Sequence, residues 1–264
     1  MNRRDFLASS IAAAGAGAMS GDASAQTPSR PMPQYYELRQ YRLRTTMRQD
    51  FSDYLKTVSV PALSRAGISP VGVFAVSVGP DSPTFWMLLP HKDRESVFTL
   101  DAKLQDDHDY KTLGAEHHSR PATNPGYVRI ESQLMVAFDG MPVLEAPAGA
   151  NAGPGRVFEL RTYESHSKAA HRKKMEMFNT GEIAIFRRTG LQPVFFGSNL
   201  IGTKLPSLTY MLVFENMAAR EKNWGQFVAD PEWKTLSTTA GFTDAEIVSN
   251  ITSFILRPAA FSQI

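Results

Sequence analysis

Glu37, Arg39 and Tyr41 stand at alternate positions in Tyr36-Glu37-Leu38-Arg39-Gln40-Tyr41. Glu159, Arg161 and Tyr163 repeat the pattern in Phe158-Glu159-Leu160-Arg161-Thr162-Tyr163, 122 positions later. A carboxylate, a guanidinium and a phenol at this spacing suit acid–base chemistry. The arginine holds an anionic group, the glutamate moves a proton and the tyrosine orients the bound molecule. The same residues can equally be structural, because a half-buried charge is tolerated only when partnered and the repeat supplies partners. Both readings stay open. The six residues are the candidate ligand-binding set, and no reaction or catalytic residue is assigned.

A second group, Asp106-Asp107-His108-Asp109 with His117-His118, offers oxygen and imidazole ligands for a divalent cation. On a helix rising 1.5 Å per residue, His108 and His118 lie about 15 Å apart, too far to share an ion. Asp230-Pro231-Glu232 explains the acids instead: an aspartate N-cap, a proline at the first helical position and an acid in the first turn. Asp107 and Asp109 occupy the matching places, so capping is expected and a metal site is not. Gly-rich phosphate loops, H-E-x-x-H and G-x-S-x-G are absent from the sequence.

Alternation along a strand puts Glu37, Arg39 and Tyr41 on one face, opposite Tyr36, Leu38 and Gln40. The apolar face is expected to sit under helices, and the polar face at the centre of the molecule. After the first strand, Met47, Phe51, Leu55, Val58 and Ala62 recur at three- and four-residue steps, which predicts an amphipathic helix tightened or bent at Pro61 and stopped by Gly67. Strands follow at 71–78 and 84–89 around a Gly-Pro-Asp-Ser-Pro turn, then a helical region from 91 to about 116 and a strand over 127–138. The order is β-α-β-β-α-β, the ferredoxin-like arrangement.

Asp139 to Gly155 is rich in proline, glycine and alanine and reads as a linker. The same order then returns: a strand at 157–163, a helix over 168–189 ended by Gly190, strands at 191–201 and 207–214, helices at 217–228 and 232–237, and a last strand at 245–256. Local matches support a duplication. Arg65-Ala-Gly-Ile-Ser-Pro70 parallels Arg188-Thr-Gly-Leu-Gln-Pro193, and Tyr110-Lys-Thr-Leu113 parallels Trp233-Lys-Thr-Leu236. Trp224, Phe227 and Trp233 recur at helical spacing and are expected in the core.

Composition narrows the function. With 264 residues and a hydrophobic fraction of 42%, the chain can bury a sizeable core. A net charge of +2 without a basic run argues against nucleic acid. No cysteine is present, which excludes disulfides, thiolate metal sites and cysteine nucleophiles. At the N-terminus, Arg3-Arg4, an Ala/Gly-rich run to Met19 and Ala23-Ser24-Ala25 resemble a twin-arginine export signal. It departs from the usual motif at Asn2 and Ala8, so an ordinary secretory signal stays open. The implied signal peptide is 1–25, the mature chain starts at Gln26, and the expected location is the periplasm, with no membrane contact after signal removal.

The duplicated E-L-R-x-Y strands, the helices ending R-x-G and Phe227-Val-Ala-Asp230-Pro-Glu-Trp233 resemble the NIPSNAP family. The second copy fits better, since the first has Asp107-His108-Asp109-Tyr110 in place of Asp-Pro-Glu-Trp. The resemblance implies an α+β fold of two ferredoxin-like repeats, 34–138 and 156–258, packed as a tandem dimeric α+β barrel. Some members of that superfamily bind haem through a histidine. His171 is the one isolated candidate here, and beside Arg172-Lys173-Lys174 it is expected to face solvent, so no cofactor is expected. The expectation is an exported protein binding a small, partly apolar molecule between its barrel sheets. The rival is a non-catalytic interaction protein whose faces serve a homo-oligomer.

Overall fold

The computed structural model describes residues 31–148 and 155–264, so the predicted signal segment and the end of the predicted linker lie outside the described residues. In chain order the first half comprises β1 (Tyr35–Arg42), α1 (Arg48–Tyr54), α2 (Val60–Arg65), β2 (Gly72–Val78), β3 (Thr84–His91), α3 (Arg94–Asp106), α4 (His108–His118) and β4 (Arg129–Ala137). The second comprises β5 (Val157–Glu164), α5 (Lys168–Met177), α6 (Ile183–Arg188), β6 (Gln192–Ile201), β7 (Ser207–Phe214), α7 (Met217–Ala229), α8 (Pro231–Thr238), α9 (Asp244–Ile247) and β8 (Asn250–Pro258). The β-α-β-β-α-β order expected from the sequence is therefore present in each half.

The strands form one closed antiparallel barrel in the order β1-β3-β2-β8-β5-β7-β6-β4. Each half contributes four neighbours, and the halves meet edge to edge at β2·β8 and β4·β6. The two sheets bury their open faces against each other as expected, and edge pairing joins them in addition. Four-stranded sheets leave two edges of unpaired backbone donors and acceptors each, and mutual pairing satisfies all four edges.

The faces of β1 and β5 are the reverse of expectation. Tyr36 and Leu38 of β1, with Phe158 and Leu160 of β5, point into the barrel among Phe74, Leu88, Met135, Phe195, Met211 and Leu256. An eight-stranded barrel is just wide enough to be filled by side chains, so its interior takes the apolar face. Rings cross between the halves there, Tyr36 against Phe195 at 5.1 Å and Phe74 against Phe158 at 4.7 Å. The Glu-Arg-Tyr faces look outward, under the helices. Tyr41 packs with Phe51 and Leu55 in the first half, and Tyr163 with Phe178 and Phe186 in the second.

A widened π-type turn joins α1 to α2 at Leu55–Ser59, and another joins α5 to α6 at Phe178–Glu182. Pro61 follows the first, but Ile183-Ala184-Ile185 follow the second, so proline does not cause the widening. Such turns often mark functional positions. Gly67 and Gly190 end the helices at φ +90° and +84°, the left-handed conformation that the sequence assigned to them. The last strand begins later than predicted. A capping box between Thr243 and Glu246 starts α9, and β8 begins only at Asn250.

The described part of the connector is anchored rather than free. Met141 is buried, the Gly140 amide donates to Asn179 Oδ1 at 2.7 Å, and the Leu144 amide donates to Gln34 Oε1 at 2.8 Å. Among the described residues, no helix is long and apolar enough to cross a membrane.

Candidate functional site

Glu159 is fully buried beneath α7, because β5 turns its polar face toward that helix. Its carboxylate accepts from Arg220 Nε at 2.9 Å and Nη2 at 2.7 Å, Trp224 Nε1 at 2.8 Å, Ser253 Oγ at 3.0 Å and Arg161 Nη1 at 3.0 Å. Burial alone would raise its pKa. The Arg220 hydrogen bond, the Arg161 charge and the Trp224 donor outweigh burial and hold it low. Arg161 also donates to Tyr163 Oη at 3.1 Å, and its guanidinium lies 4.9 Å from the Trp224 ring centre. Tyr210 donates to the same Tyr163 oxygen at 3.2 Å. Every member of this predicted trio is thus engaged by the protein's own side chains.

The first-half trio is partnered more simply. Arg39 Nε donates to Glu37 Oε1 at 2.7 Å and Nη2 to Oε2 at 2.9 Å, while Ser132 Oγ donates to Oε1 at 2.8 Å. His91, wholly buried, holds Nε2 3.6 Å from Glu37 Oε2. Burial pushes Glu37 upward, but the nearby His91 ring, the Arg39 guanidinium and the Ser132 hydroxyl prevail and bring it down to about 2. Tyr41 packs between Phe51 and Tyr127, with ring centres 4.9 Å and 5.5 Å away. The two trios lie on opposite halves under separate helices, so the structure does not bring all six residues into one site.

Beneath α5 lies an ion pair that sequence reasoning missed. Lys174 and Glu182 are both almost fully buried, with Nζ 3.3 Å from Oε2. The ammonium also lies 5.4 Å from the Tyr163 ring centre, 5.2 Å from Phe178 and 5.8 Å from Trp233. Burial raises Glu182 to about 6, and Lys174 only partly counters it. His171 is buried as well, its Nε2 3.0 Å from Ser198 Oγ. The expectation of a solvent-facing His171-Arg-Lys-Lys turn is therefore corrected. Positions 171, 174 and 178 share the helix face toward the sheet, while Arg172 and Lys173 stay outside. The i, i+3, i+7 spacing of His171, Lys174 and Phe178 was the available signal, obscured by their charge.

Asp107, from the acidic group, caps a helix, as Asp230 does in the second half. Asp107 accepts from the Tyr110 amide at the start of α4 and binds Arg65 at 2.7 Å. Asp230 accepts from the Glu232 and Trp233 amides and binds Arg188 at 2.6 Å. The paired R-x-G and capping-acid motifs are thus one interaction in each half.

A cavity of about 370 Å³ opens elsewhere, at the end of the barrel where β1, β5, β2 and β6 finish and β3, β4, β7 and β8 begin. Its floor is apolar, formed by Leu38, Trp86, Leu160 and Phe254, and its rim carries Gln40, Arg42, Thr162, Lys204 and Thr252. Trp86 meets Phe254 edge-on at 5.4 Å between ring centres. The inward faces of β1 and β5 line this space; none of Glu37, Arg39, Tyr41, Glu159, Arg161 or Tyr163 borders it. A floor of hydrocarbon and aromatic surface under a few polar groups suits a small, mostly apolar molecule.

The NIPSNAP family model matches residues 158–263. A comparison with curated protein sequences finds no match. Among solved structures, a monooxygenase-like protein of Lactobacillus acidophilus NCFM is similar at 10% identity, covering 86% of this chain and 94% of that one with a TM-score of 0.56. A second monooxygenase-like protein, from Fusobacterium nucleatum, is similar at 7% identity and a TM-score of 0.54, over 86% of this chain and 93% of that one. An uncharacterised NIPSNAP-like domain protein from Burkholderia xenovorans shares 22% identity over 42% of this chain and 90% of its own, with a TM-score of 0.38. The likeness to the two monooxygenase-like structures is one of fold, the closed α+β barrel.

Proposed function

We propose, from the premise that residues 158–263 are a NIPSNAP-family domain, that the protein is an exported carrier or receptor that binds a small, partly apolar molecule in the mouth of its barrel. The supporting observation is the cavity of about 370 Å³ with its apolar floor and polar rim. That volume suits a ligand of roughly one or two fused rings, at the lower end of the usual range for small-molecule sites. The Glu-Arg-Tyr trios serve the fold in this reading, since each arginine is committed to an internal acid. In the same reading residues 34–138 and 156–258 are two copies of one domain, and the segment 1–25 directs export to the periplasm.

A second reading, an assembly surface, is favoured by one observation. Val78, Leu200, Ile201, Leu205 and Ile251 are exposed apolar residues at the cavity end of the barrel. Native mass spectrometry of the protein purified from the periplasm separates the two. Ligand binding predicts a small retained mass that disappears in Thr252→Trp, which blocks the rim. A ligand-free homo-oligomer in both forms would overturn the binding reading and support assembly.

A further inference from the structure

Two residues that line the barrel mouth each carry a hydrogen-bond donor without an acceptor. Trp86 is 7% exposed, and its Nε1–H is buried without a hydrogen-bond partner among the described residues. Arg42 Nε is buried and unpartnered in the same way. Gln40 stands directly opposite Trp86 in the β1·β3 pairing, and Arg42 lies two positions further along β1, so both donors belong to one wall of the cavity. Leu160 and Phe254, which also line the cavity, offer no side-chain acceptor.

A buried donor left unpaired is costly, because its lost hydration is not repaid. Leu and Phe in place of these residues would fill a barrel interior without that cost. Two such donors on residues that line one cavity therefore point to an acceptor supplied from outside.

The charge at the rim indicates which kind. Arg42 Nη2 already lies 3.3 Å from Asp81 and 3.6 Å from Glu131, and Lys204 Nζ lies 3.5 Å from Glu164. The cations are thus balanced by the protein's own acids, and two of those acids, Asp81 and Glu131, border the cavity. An incoming carboxylate or phosphate would find no uncompensated positive charge there and would meet two negative ones. A neutral oxygen acceptor meets neither obstacle.

We infer that the barrel mouth binds a neutral carbonyl compound with an apolar, ring-sized body, its carbonyl oxygen accepting from Trp86 Nε1–H and Arg42 Nε–H. The body rests on Leu38, Leu160 and Phe254. This inference rests on the binding reading above and specifies the ligand class of the same cavity.

Three probes with one ring system test it: 2-acetylnaphthalene, 2-ethylnaphthalene and 2-naphthoate, titrated into the purified protein by calorimetry. The ketone is expected to bind about tenfold more tightly than the hydrocarbon, the value of one satisfied buried donor. Naphthoate is expected to bind no more tightly than the ketone. In Trp86→Phe, which keeps an aromatic ring on the floor, the advantage of the ketone should fall to about threefold or less. In the unaltered protein the Trp86 indole N–H resonance, assigned by its contacts to Phe254, should move downfield with the ketone and not with the hydrocarbon.

Equal binding of ketone and hydrocarbon, an unmoved indole resonance, or tighter binding of naphthoate would overturn the carbonyl assignment while leaving the binding reading intact. Failure of all three probes to bind would overturn both.

Discussion

Arg220, carried on α7, grips both oxygens of Glu159 on β5, at 2.7 Å and 2.9 Å. The principal partner of the second repeated acid is therefore a residue 61 positions away, and the strand neighbour Arg161 is a secondary one. In the first half, among the described residues, Arg39 alone supplies the guanidinium to Glu37. The two occurrences of one strand motif thus use different means to neutralise the corresponding acid.

Arginine substitutions should follow that difference. Arg220→Met leaves a fully buried carboxylate short of its bidentate partner and should cost about 3 kcal/mol or more. Arg161→Met leaves Glu159 with Arg220, Trp224 and Ser253 and should cost only about 1–2 kcal/mol. Urea denaturation of the single variants and of each paired with Glu159→Gln checks both values. Equal costs for the two arginines would contradict the assignment of Arg220 as main partner.

Glu37 and Glu182 should respond to pH in opposite directions. Glu37 is depressed to about 2, so its contribution is present above its unfolded pKa near 4.5 and is lost as pH falls toward 2. The loss amounts to about 3 kcal/mol. Glu37→Gln should flatten this acid limb in thermal melts recorded between pH 5 and pH 2.

Glu182 is raised to about 6, so its contribution is full below pH 4.5 and lost as pH rises through 6, by about 2 kcal/mol. Glu182→Gln should remove that decline. Lys174→Met should deepen it, because the nearby ammonium is what limits the rise. A Lys174→Met variant whose deficit is the same at pH 5 and pH 8 would show that the pair is not charge-coupled.

The halves should stay together after the connector is cut. Their contact consists of two runs of backbone hydrogen bonds, β2·β8 and β4·β6, and a shared apolar interior. A protease site inserted between Ala148 and Gly155 should yield two fragments that co-elute and melt together. Fragments that part and remain folded would contradict the single closed barrel.

The order of elements was legible because it rests on local signals: alternation in the strands, three- and four-residue spacing in the helices, and glycines at 67 and 190. The capping aspartates were legible for the same reason. Which face of β1 turns inward was not, since Tyr36 and Leu38 are equally suited to lie under a helix or inside a barrel. Only closure through β2·β8 and β4·β6 decides it, and that depends on partners far apart in sequence, such as Phe74 with Pro258 and Leu134 with Ile201. The cavity was missed for a related reason. Leu38, Trp86, Leu160 and Phe254 look like core in the sequence and meet only once the barrel closes. Lys174 and Glu182 were hidden because charged residues are rarely fully buried.

The position of bound 2-acetylnaphthalene in a crystal of the complex tests ligand binding at the barrel mouth most directly. The ring is expected between Trp86, Phe254 and Leu160, with its carbonyl oxygen within about 3 Å of Trp86 Nε1. A ring lodged under the helices against Arg39 and Tyr41, or against Arg161 and Tyr163, would contradict it and return function to the repeated trios.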